Sequence, residues 1–141
     1  MRKVFYIILK IKRVVQNFNL KEEITMGLDA SVFRLSKRAA ISPVKIDYEF
    51  KQEEVYYWRK FWALQYWMRN LYKKKGGTEK DFNNDYVQLT EEDLDRLKED
   101  CKDFDLSEVL FEQDLENLPE VIEKLKANID SEHCVYYWCS Y

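Results

Sequence analysis

Val55-Tyr56-Tyr57-Trp58-Arg59-Lys60-Phe61-Trp62-Ala63-Leu64-Gln65-Tyr66-Trp67 holds three of the chain's four tryptophans and neither glycine nor proline. A run this aromatic is buried in a core, pressed on a partner, or set along a ligand site. Phe61, Leu64, Trp67 or Met68, and Leu71 recur at helical spacing, while Val55, Trp58, Trp62 and Gln65 fill an adjacent face. The spacing predicts one long helix over about 52–74, with an apolar arc wide enough for the centre of a core. Lys73, Lys74 and Lys75 then sit well against its C-terminal dipole, and Gly76-Gly77 ends it.

The segments on either side read as strands and two further helices. Gly27 to Leu35 predicts a first strand. Val44-Lys45-Ile46-Asp47-Tyr48-Glu49-Phe50 alternates apolar with charged residues and predicts a second, paired with or beside the first. Asp81 to Asp85 is a polar loop, and Asp85 to Leu89 a short strand. Thr90-Glu91-Glu92-Asp93 has the form of a capping box. Behind it, Leu94, Leu97, Cys101 and Phe104 make one apolar stripe. After an acidic connector, Leu118, Val121, Ile122, Leu125 and Ile129 mark a last helix with Pro119 in its first turn. Cys134 to Tyr141 is β-branched and aromatic, which suits a terminal strand. The expected fold class is α+β: a small, mainly antiparallel sheet packed on one side by two or three helices, with the long aromatic helix central.

Composition limits the function classes. Three glycines scattered through 141 residues cannot supply a phosphate loop or a dinucleotide fingerprint. Three cysteines leave one unpaired and lack zinc-type spacing, so the expected compartment is reducing and cytoplasmic. Six basic against two acidic residues give positions 1–25 a charge of about +4, so the remaining residues carry about −7 of a net −3. That acidic balance argues against nucleic acid as a partner. The apolar stretch Val4–Leu9 falls well short of the roughly 20 residues needed to cross a bilayer. Residues 1–25 therefore read as a dispensable leader, or as translation from a start upstream of Met26. Contact with a membrane surface is the weaker alternative. Residues 26–141 form the expected single domain.

Met26-Gly27-Leu28-Asp29, Tyr57-Trp58-Arg59-Lys60 with Trp67 downstream, and the aromatic end Val135 to Tyr141 occur in a familiar order. Together they resemble a group of short, uncharacterised phage- and prophage-type proteins that begin Met-Gly-Leu-Asp and carry a Tyr-Trp-Arg-Lys helix and an aromatic C-terminal strand. The likeness covers roughly 26–141. Two positions depart from the group's pattern: Trp62 stands where it has asparagine, and Gln65 where it has histidine. An acid–base role for that histidine does not carry over.

Several side chains are candidates for chemistry. Trp58 beside Arg59 and Lys60 could stack a planar ligand and hold a phosphate, or Trp58 could pack inward while the cations reach solvent. Asp29 interrupts an apolar strand and would need His133 or a cysteine close by to serve in catalysis. His133 and Cys134 are neighbours on a strand and so face opposite ways. Acidic residues between Glu91 and Glu116 could mimic nucleic acid, although such runs are commonly solvated helix faces. No cofactor or metal is indicated.

The favoured expectation is a non-catalytic protein that binds a host protein through Tyr57, Trp58, Arg59, Lys60, Trp62, Tyr66 or Tyr137, since large aromatic residues concentrate at interface hot spots. Tyr56 and the terminal strand belong to the same surface, and a homodimer is a mild version of the idea. The alternatives are a nucleotide or small-ligand binder at Trp58, Arg59 and Lys60, and an enzyme using Asp29 and His133.

Overall fold

A computed structural model describes residues 27–141. The expectations for the leader and for Met26 as first residue fall outside the described residues. The order is β1 (Asp29–Ser36), β2 (Ala40–Ser42), β3 (Lys45–Ile46), β4 (Glu53–Arg59), α1 (Trp62–Lys74), β5 (Tyr86–Leu89), α2 (Glu91–Asp100), α3 (Glu112–Lys126) and β6 (His133–Ser140), with short 3-10 turns after β1 and between α2 and α3. Four strands make one antiparallel sheet in the order β4-β1-β6-β5, and β2 pairs with β3 in a small separate hairpin. The α+β class read from the sequence is the observed one.

Alternation sends neighbouring strand residues to opposite faces. One face presents Ala30, Val32, Trp58, Val87, Leu89, Val135, Tyr137 and Cys139 to all three helices. Leu64, Met68 and Leu71 of α1 enter that core with Leu94 and Leu97 of α2 and Leu118, Ile122 and Leu125 of α3. A smaller cluster on the opposite face gathers Leu35, Ala39, Ile46, Tyr86, Cys134 and Tyr136, with Phe33, Phe50 and Trp138 at its margin. The β2–β3 hairpin therefore covers one end of that face and leaves the other end open. β6 lies between β1 and β5, so the terminal strand is interior to the sheet.

The predicted helix over 52–74 is two elements. Glu53–Arg59 is strand β4, and only Trp62–Lys74 is helical. Val55-Tyr56-Tyr57-Trp58 suits a pleated, half-buried strand as well as a helix, and β1 supplies the partner that decides it. Asp29, Ala30, Ser31 and Val32 pair with Arg59, Trp58, Tyr57 and Tyr56 in turn, and Val55 is then passed over in a bulge before Phe33 meets Glu54. Without glycine or proline, the chain turns at Lys60, which takes a left-handed φ of 57° while its amide donates to the Leu28 carbonyl at 2.7 Å. The Tyr-Trp-Arg-Lys run thus ends a strand and is not helical.

Two smaller expectations also change. Of Val44–Phe50, only Lys45–Ile46 is a strand, and it pairs with β2 instead of lying beside β1. Asp47 stops it by local hydrogen bonding: its carboxylate accepts from the Glu49 amide at 3.0 Å and its carbonyl from Phe50 at 3.3 Å. Pro119 is interior to α3, because that helix begins at Glu112, inside what reads as the acidic connector. The capping box is as read: the Asp93 amide donates to Thr90 Oγ1 at 3.1 Å, and the Thr90 amide to Asp93 Oδ2 at 2.9 Å.

Candidate functional site

The residues nominated by sequence separate into a buried set and an exposed set. Trp58 is 2% exposed, with its ring 4.8 Å from Tyr56 and 6.4 Å from Tyr137. It packs inward and offers no platform for a base. Trp62 is 5% exposed and lies against Tyr66 and Tyr141, at ring separations of 5.9 and 5.4 Å. Tyr66 is half-buried under the Arg69 guanidinium, 5.1 Å from its ring centre.

Tyr137 is fully buried and belongs to a polar network inside the core. Its hydroxyl donates to Gln65 Oε1 at 2.7 Å, and Gln65 Nε2 donates to the Phe82 carbonyl at 2.9 Å and reaches Cys139 Sγ at 3.1 Å. The Cys139 thiol also donates to the Phe82 carbonyl, at 3.2 Å. Burial pushes the Cys139 thiol up to about 12 and Tyr137 well above the usual phenol value, so both stay protonated. Gln65 is the residue that sequence reading missed. Its signals were polarity at an apolar position of the helix and its place where the resembling group has histidine. Trp58, Trp62 and Tyr137 cannot meet a binding partner without opening the core, and that part of the expectation is corrected.

Tyr57, Arg59 and Asp29 are exposed, on the sheet face away from the helices. Tyr57 is 47% exposed and its hydroxyl donates to Asp29 Oδ1. That hydrogen bond first, and slight burial second, raise the tyrosine's pKa. Beside it Ser31 Oγ donates to Glu54 Oε2 at 3.1 Å. Strand register aligns Tyr57, Ser31, Trp138 and Tyr86 in one row across all four strands. Tyr86 is already covered: Tyr48 lies 6.0 Å from its ring, and its hydroxyl donates to Gln52 at 3.1 Å. Tyr57 and half-buried Trp138 stand in the open part of the row. Lys60 is half-buried in the turn behind them.

Asp29 and His133 do not converge. Asp29 pairs with Ser140 and His133 with Ser36, at opposite ends of β1, a separation of about 23 Å for seven strand steps. His133 Nδ1 instead lies 2.9 Å from Asp130 Oδ1 and 3.1 Å from Arg34 Nη2. The Glu132 amide, then the His133 ring, hold the Asp130 carboxyl well below the usual range. Cys134 and Cys101 are buried, and burial raises both thiols. The catalytic pairing proposed from sequence is corrected on this geometry.

Several carboxylates of the acidic stretch are matched by cations. Asp93 meets Lys75 and, at 2.7 Å, Arg96. Asp95 meets Lys126 at 2.6 Å. Between α1 and α2 a depression of about 170 Å³ is lined by Trp67, Asn70, Leu71, Lys74, Arg96 and Asp100. There the Trp67 indole donates to Asp100 at 2.9 Å. Among the described residues no group of three or more His, Cys, Asp and Glu side chains is placed to hold a metal ion, and no helix is long and apolar enough to cross a membrane.

Compared with protein families, curated proteins and solved structures, the chain finds no match.

Proposed function

We propose that this is a non-catalytic binding protein of the phage or prophage type that its Met-Gly-Leu-Asp and Tyr-Trp-Arg-Lys motifs resemble, and that it engages a host protein. The observation that carries the proposal is Tyr57: a large aromatic side chain, 47% exposed, held in place by Asp29 on a sheet face that the β2–β3 hairpin leaves uncovered. An aromatic ring with its hydroxyl already oriented loses little conformational freedom on binding. Trp138, Glu54 and Arg59 flank it with the mixture of apolar and polar groups common at protein interfaces. Three cysteines, all free and buried, suit a reducing cytoplasm.

Affinity capture from host lysate tests the proposal, using the full chain beside its Tyr57→Asp and Glu49→Ala variants. A host protein retained by the native chain and Glu49→Ala, and lost with Tyr57→Asp at unchanged thermal stability, is the expected result. Equal retention by all three would remove the open face from the mechanism.

A further inference from the structure

We infer that strand β4 is a self-complementary edge along which two copies of the chain pair antiparallel, joining their sheets into one of eight strands about a twofold axis. The two edges of the sheet are unlike. On the four-residue β5, the Gln88 amide donates to the Pro43 carbonyl at 2.7 Å and the Gln88 carbonyl accepts from Lys75 Nζ at 2.7 Å, so the outer side of that short strand is capped at Gln88. β4 pairs with β1 alone, and among the described residues its outer backbone groups have no partner. A row of unpaired N–H and C=O groups is a template for another strand.

Side chains along β4 select the second strand. Opposite Phe33, Ser31 and Asp29, the open face of β4 carries Glu54, Tyr57 and Arg59. In sequence Glu54 is three residues from Tyr57 and Arg59 only two. The bulge at Val55 removes the difference, so both charges stand two ladder positions from the tyrosine. A twofold axis passing between two Tyr57 rings then sets each Glu54 opposite Arg59 of the second copy. Parallel addition would set glutamate against glutamate and arginine against arginine. Arg59 has no ion pair with the described residues of its own chain, which leaves its charge for this contact. Because β5 is capped, the assembly closes at two copies instead of growing into a fibre. Both open faces remain on the same side of the joined sheet, so one dimer offers two Tyr57 surfaces.

Sedimentation velocity over a concentration series of the full chain tests this. The native chain should show a monomer–dimer equilibrium. Glu54→Arg and Arg59→Glu should each weaken dimerisation at least tenfold, and the double exchange Glu54→Arg/Arg59→Glu should restore it. Circular dichroism on each variant checks that the fold is retained. A native chain that stays monomeric overturns the inference, as does a dimer indifferent to both single reversals or one that the double exchange fails to rescue. A monomer that still captures a host protein through Tyr57 would overturn self-pairing and leave the proposed function standing.

Discussion

Asp93 shows how one residue ties several elements together. It caps α2, meets Lys75 just beyond α1, and bonds Arg96 on its own helix, while its side chain is only 5% exposed. Burial alone would raise its pKa. The Lys75 hydrogen bond, together with the Thr90 amide and hydroxyl, outweighs burial and brings it below the usual carboxylate range. Replacing it leaves Lys75 half-stranded and the Thr90 amide without its acceptor, although Thr90 Oγ1 still caps the amide of residue 93, so Asp93→Ala should cost about 2–4 kcal/mol in chemical denaturation. A folded-state pKa below the unfolded one stabilises the fold fully above about pH 4. That contribution is lost as pH falls through the lowered folded value. The acid limb of a stability–pH curve should therefore be shallower in Asp93→Asn than in the native protein. The capping partners are three residues apart and legible in sequence; Lys75 is eighteen residues away and is not.

At the scale of elements, the junction between β4 and α1 is the informative place. Lys60 holds a left-handed backbone conformation that a Cβ disfavours, and nothing in its side chain marks it for a turn. Lys60→Gly should raise stability by about 0.5–1 kcal/mol, after allowing for glycine's greater freedom when unfolded. Equilibrium denaturation of the two proteins measures it, and a loss of stability would mean that the lysine stem packs into the core. Gly76, by contrast, was readable as a helix stop and takes φ +96° in the structure. Gly77 follows with its backbone so close to the Tyr72 ring that an added Cβ would overlap it. Sequence marked the break that used glycine and missed the one that did not.

For the whole molecule, β6 is the organising strand. It pairs along its full length with β1 and along half of it with β5, and it delivers Val135, Tyr137 and Cys139 to one core and Cys134 and Tyr136 to the other. A chain ending at Glu132 should therefore lose its cooperative thermal transition by circular dichroism; a surviving sharp transition would show that the rest folds without its central strand. The sequence by itself determined the α+β class, the terminal strand, the α2 cap and the apolar stripes of α2 and α3. Each of these is a local pattern, set by side-chain period or by partners within one turn. Tertiary structure alone decided that Val55–Arg59 is a strand, because that run satisfies both periods and only register with β1 separates them. It also decided which aromatic side chains are available. Packing of the helices over one face of the sheet buries Trp58, Trp62 and Tyr137, while the short β2–β3 hairpin stops before Tyr57 and leaves it in solvent.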